Sequence, residues 1–153
     1  MSNKRWEFSG ETKIHFGVTL KRIRAVVGFK LKCGIVIKNG ELGGWIEKES
    51  NLSDDAWVSD DAKVSGNAWV SGNAKVSGNA KVKSSEDYCV YKNTWSSFRW
   101  FTYTKSNKMW SVGCFHGTGA ELIAKAYNDS EKSGKCYEAI VKAQEAIEKA
   151  MEV

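Results

Sequence analysis

Few side chains in this chain could carry a reaction. The histidines are His15 and His116, and either could act as a general acid or base near neutral pH. Cys114 stands two residues before His116, so thiol and imidazole would share a face if that segment is extended. Neighbours on one strand are poorly placed to act on a common substrate, and no reaction is assigned to them. Cys33, Cys89, Cys114 and Cys136 show no C-x-x-C spacing and are expected as buried free thiols in a reducing cell, with no metal site. The chain has no phosphate-cradling P-loop, no dinucleotide-binding glycine pattern and no nucleophile elbow. No catalytic residue and no cofactor are expected.

Binding chemistry is better supplied. The chain carries 7 Trp, and 23 Lys and Arg against 18 Asp and Glu, for a formal net charge of +5. Flat rings stack on bases, and cationic side chains neutralise phosphates. Arg22 and Arg24 project from one face of a strand, where they either clamp a phosphate or carboxylate or keep a solvent face soluble. Trp57, Trp69, Lys63, Lys75 and Lys81 recur at fixed spacing. Arg99 sits among aromatic rings, with Trp110 and His116 downstream. These ten residues form the expected ligand-binding set.

The element that must position most of them is the stretch 43–84. Ile46, Leu52, Val58, Val64, Val70, Val76 and Val82 recur every six residues, and Gly44, Ser50, Ala56, Ala62, Ala68, Ala74 and Ala80 recur two places earlier. A fixed short period marks a solenoid. Six is a multiple of two, so every aliphatic residue faces the same side of its strand, with the small residue beside it. Gly-Asn pairs at 66–67, 72–73 and 78–79 supply tight corners that tolerate left-handed backbone.

This stretch resembles the left-handed parallel β-helix of hexapeptide-repeat proteins, best known among acyltransferases. The resemblance implies that three hexads complete one coil, so that residues 18 apart stack. Trp45, Lys63 and Lys81 would then share one outward column, Trp57 and Lys75 a second, and Trp69 would stand in a third. It also implies a homo-oligomer, a trimer being usual in that group. Acyltransferases of this type use a histidine between coils of neighbouring subunits, and neither histidine here lies within the repeats.

A second resemblance rests on Glu11-Thr-Lys13, Leu20-Lys-Arg-Ile-Arg24, the run Leu42-Gly-Gly-Trp-Ile-Glu-Lys-Glu-Ser-Asn-Leu-Ser53 and the x-A-x-V-x-G repeats. Together they are similar to a group of small bacteriophage and prophage proteins, as is Val112-Gly-Cys-Phe-His-Gly-Thr118. This resemblance implies a phage origin, and supplies no catalytic residue.

Residues 1–42 are expected to form a β cap on the first coil, with a tight turn at Lys38-Asn39-Gly40-Glu41. Residues 43–84 are the repeat region, and 85–153 an α+β appendage. Within the appendage, 88–91, 97–103 and 108–115 read as antiparallel strands. Phe98 and Trp100 are expected on one face of the middle strand, Phe101 and Tyr103 on the other. Thr118-Gly-Ala-Glu121 is a capping box opening a helix to about Asn128. After a loop, 129–134, a second helix runs over 135–151 with an apolar stripe of Cys136, Ile140, Ala143, Ile147 and Met151. The fold class is therefore mostly β. A short left-handed β-helix carries a β cap before it and an antiparallel hairpin with two helices after it.

The first thirty residues carry charges throughout and lack an apolar run, so no signal peptide is expected, and no segment is long enough to span a membrane. The expected location is the cytoplasm of an infected bacterial host. The expected function is non-catalytic: sequestering a host anionic small molecule, a nucleotide immune signal, in pockets between subunits. Two alternatives stand beside it, a protein–protein inhibitor of a host defence complex and an acyltransferase-like enzyme. Duplex nucleic acid is not an expected partner, since no recognised motif for it is present.

Overall fold

A computed structural model describes residues 4–152 of the chain. The fold is mostly β, with several open sheets and two helices. β1 (Trp6–His15) and β2 (Val18–Ala25) form an antiparallel hairpin. β3 (Phe29–Lys30) and β4 (Val36–Ile37) form a second, small hairpin. β5 (Leu42–Ile46) pairs antiparallel with β2, so the first hairpin continues directly into the repeats.

The repeats then pair in parallel at a spacing of 18 residues. β5, β7 (Lys63–Val64) and β9 (Lys81–Val82) stack with Trp45 opposite Lys63 and Lys63 opposite Lys81. β6 (Trp57–Val58) stacks on β8 (Lys75–Val76), and Leu52 bridges Val70. The seven aliphatic residues from Ile46 to Val82 are all buried in one cluster. The small column is buried as well, apart from Ser50, which is exposed in a short 3-10 turn over Glu49–Asn51. Asn51 fills the space instead, its amide donating to the Ala68 carbonyl at 2.8 Å. Gly44 cannot be larger: a Cβ there would lie 2.6 Å from Val58 Cγ1. The corners use left-handed backbone at Asp60, Gly66, Gly72 and Gly78.

The C-terminal part builds a second core. β10 (Tyr88–Lys92), β11 (Trp100–Thr104), β12 (Met109–Val112) and β13 (Phe115–Thr118) form an antiparallel sheet in chain order. α1 (Gly119–Asp129) and α2 (Glu131–Met151) pack on it. β11 is buried on both faces, but only Phe101 and Tyr103 meet the helices. Its other face carries Thr102 and Thr104, and Thr102 Oγ1 accepts from the Lys75 amide at 2.9 Å. Phe98 falls outside the strand, in the preceding loop, and is exposed.

Both ends of the capping box are made: the Glu121 amide donates to Thr118 Oγ1 and the Thr118 amide to Glu121 Oε1. The loop expected over 129–134 shrinks to Ser130, whose hydroxyl caps α2 by accepting from the Ser133 amide. The face of α2 also differs from the expected stripe. Tyr137, Val141, Gln144 and Glu148 are buried, while Ala143, Ile147 and Met151 are exposed. Gln144 and Glu148 face inward because the sheet offers polar partners: Tyr91 donates its hydroxyl to Gln144, and Lys108 Nζ lies 3.2 Å from Glu148 Oε2. Among the described residues, no helix is long and apolar enough to cross a membrane.

Candidate functional site

The site begins with a turn. His15 pairs with Val18, closing a two-residue loop of Phe16 and Gly17. Their φ values are 47° and 79°, the arrangement in which both central residues of a hairpin loop are left-handed. Glycine accepts this freely, and phenylalanine does so at a cost of roughly 1–2 kcal/mol. No burial offsets the strain, because Phe16 is 86% exposed. The hairpin reaches this position past Gly10 (φ 100°), where the register of β1 on β2 shifts between Phe8 and Thr12.

The tip of the hairpin stands beside the Trp45–Lys63–Lys81 column, and the two enclose a half-open cavity of about 430 Å³. His15, Phe16, Val18 and Leu20 form one wall, and Lys63, Lys81, Lys83, Ser65, Gly66 and Glu47 the other. Lys13 Nζ lies 4.1 Å from the centre of the Trp45 ring, and Lys81 Nζ 5.9 Å from that of Phe16. The Glu47 carboxylate accepts from the Gly66 amide at 2.8 Å. Among the described residues, Lys13, Lys63, Lys81 and Lys83 form no ion pair.

These uncompensated charges act on each other. Burial pushes the His15 imidazole below its ordinary pKa, and Lys63, Lys81, Lys13 and Lys83 push it the same way. Its Nε2 is buried without a hydrogen-bond partner. The Lys63 ammonium is lowered by burial first and then by Lys13 and Lys81, with Asp61 opposing. Lys63 Nζ donates to the Asp61 carbonyl at 3.0 Å, a neutral hydrogen-bond partner. An anion entering here would meet three lining lysines against the single Glu47 carboxylate, a net positive field.

Of the ten residues expected to bind ligand, the fold brings Lys63 and Lys81 together in this cavity. Arg22 and Arg24 are engaged within the sheet. Arg22 donates to the Gly43 carbonyl at 3.0 Å and pairs with Glu11, and Arg24 pairs with Glu7. Trp57 is a correction: it is 0% exposed, because β3 and β4 fold over the outer face of β6 and place the Phe29 ring 5.6 Å away, edge to face. Trp110 is likewise buried, at the centre of the aromatic cluster under the helices. Neither presents a surface to a ligand. Lys75 is half-buried where β11 packs on β8. Trp69 is exposed on a different face. Arg99 is exposed, with its guanidinium against Gly34.

The Cys114–His116 pair does not share a face. Val112 pairs with Phe115, which places Cys114 in a turn, exposed, and not among the buried thiols. Cys33 is buried, and Cys89 and Cys136 are half-buried. The His116 Nδ1 lies 3.1 Å from Ser111 Oγ and 3.4 Å from Ser77 Oγ. Both hydroxyls are buried, so this cluster joins the repeats to the second sheet and leaves no accessible nucleophile. No group of three or more His, Cys, Asp or Glu among the described residues is placed to hold a metal ion.

Sequence reasoning missed Lys13, Phe16 and Lys83, and placed His15 only in the cap. A signal for the turn was present: Ile14-His15 and Val18 flank a Phe-Gly pair, a hairpin spacing. Nothing in the spacing shows where the tip of that hairpin comes to rest. No protein-family model, no curated protein and no solved structure matches this chain.

Proposed function

We propose that the protein is a binding module for an anionic small molecule, held between the hairpin tip at His15–Phe16 and the lysines of the repeat face. One observation carries the reading: Lys63, Lys81 and Lys83 line one cavity without salt-bridge partners among the described residues, with Lys13 on the Trp45 ring beside it. A phosphate or carboxylate would supply the missing counter-charge.

The scaffold is proposed to be a left-handed parallel β-helix. The parallel register at 18 residues and the tight corners recurring every six residues support this. The protein is also proposed to assemble as a homotrimer and, in a phage setting, to withhold a host anionic signal. One chain supplies both walls of the cavity, so binding does not require the second subunit.

A second reading, docking on a host protein, is favoured by the exposed Ile147 and Met151 on α2. Titration calorimetry with tripolyphosphate separates the two. Binding that weakens steeply with salt and is lost in Lys63→Glu/Lys81→Glu is expected. Heat-silent titration of the folded wild-type protein at low salt would sink the anion reading.

A further inference from the structure

We infer that the anion is the phosphate end of a nucleotide, and that its base stacks on Phe16. This rests on the anion-binding reading and adds the other half of the ligand. The lysines account for negative charge alone. They do not account for a large aromatic ring held at φ 47° at the hairpin tip, 86% exposed, where glycine would serve the turn better. Strain of this kind persists where the surrounding structure holds it, and here it presents a flat face at the mouth of the cavity.

The neighbouring groups suit a base. His15 and Phe16 meet edge to face with ring centres 4.5 Å apart, which braces the phenyl ring while it remains 86% exposed. Lys81 lies between the two functions, 5.9 Å from the Phe16 ring centre and next to Lys63 in the stacked column. Phosphate on Lys63, Lys81 and Lys83 therefore places a base, one sugar away, over Phe16. A cavity of about 430 Å³ is within the range of small-molecule sites.

The test compares ATP with tripolyphosphate, which carries similar charge and no base, by calorimetry on the full chain. ATP is expected to bind about 5- to 100-fold more tightly, as base–aromatic stacking provides. Phe16→Ala is expected to remove that advantage, bringing the ratio of ATP to tripolyphosphate affinity close to one. Phe16→Gly suits the left-handed turn, so it serves as the variant certain to preserve the hairpin, and the same loss is expected there. Equal affinity for the two ligands in the wild type overturns the nucleotide inference and leaves the anion reading standing. An ATP advantage that survives both Phe16 variants also overturns it, because the base then rests elsewhere. Absence of binding by either ligand removes both readings together.

Discussion

Phe16 and His15 are the residues where local structure and site diverge. The left-handed turn would be more stable with a residue that tolerates positive φ. Phe16→Gly is therefore expected to raise stability by up to roughly 1–2 kcal/mol, the strain it relieves, read as a shift of the denaturant midpoint without a change of slope. His15 makes a second prediction. Its folded pKa lies below the ordinary value of 6.5, so in acid the unfolded chain takes up this proton first. The His15 contribution to stability is thus complete above pH 6.5 and is lost as pH falls below it, until the folded imidazole itself titrates. Lys13, Lys63, Lys81 and Lys83 face the ring, with Glu47 the carboxylate lining the same cavity. A bound anion offsets these cations and raises the His15 pKa. Binding near pH 6 should then be accompanied by proton uptake, measurable as a dependence of calorimetric heat on the ionisation enthalpy of the buffer. Uptake that persists unchanged in His15→Gln would assign it to another group.

At the scale of elements, period and packing part company in an informative way. The six-residue period turns Ile46, Val64 and Val82 to the same side of their strands, the resemblance to hexapeptide-repeat proteins implies that they stack, and the parallel register places them above one another. Ile46→Ala is expected to cost about 2–5 kcal/mol, because a stacked and fully buried column cannot close around the cavity. Helix α2 shows the opposite case. Its apolar stripe is expected to lie on the small sheet or on a partner subunit, and in the single chain Ile147 and Met151 lie outward while Gln144 and Glu148 lie inward. Ile147→Ala should change stability by no more than about 0.5 kcal/mol, measured by chemical denaturation. A change several times larger would mean that this stripe is covered in solution, as the proposed trimer or a partner protein would require. Gly134 explains why α2 starts early. A Cβ there would lie 2.3 Å from the Tyr127 ring, so the small residue lets α1 and α2 approach closely across Ser130.

Across the whole molecule, polar groups join two apolar cores. The Tyr88 hydroxyl donates to the Trp69 carbonyl at 2.7 Å, Thr102 accepts from the Lys75 amide, and Ser77 meets Ser111 at 2.7 Å. These bonds seat the second sheet on the β6–β8 face and leave the Lys63–Lys81 face to the hairpin. The repeat core, the tight corners, the capping box and the alternation of lysines with aliphatics were legible in the sequence, because each depends on residues six or fewer positions apart, where pleat and turn geometry fix the outcome. Which outward residues stay open to solvent was not legible. Trp57 and Lys63 occupy equivalent hexad positions, yet β3 and β4 bury the first while the second stays half-exposed to the cavity under the hairpin tip. That difference, the landing of Phe16 beside Lys81 and the inward turn of Glu148 all rest on contacts between segments tens of residues apart. Only the folded chain decides such contacts, because a period specifies which way a side chain points and not what comes to rest against it.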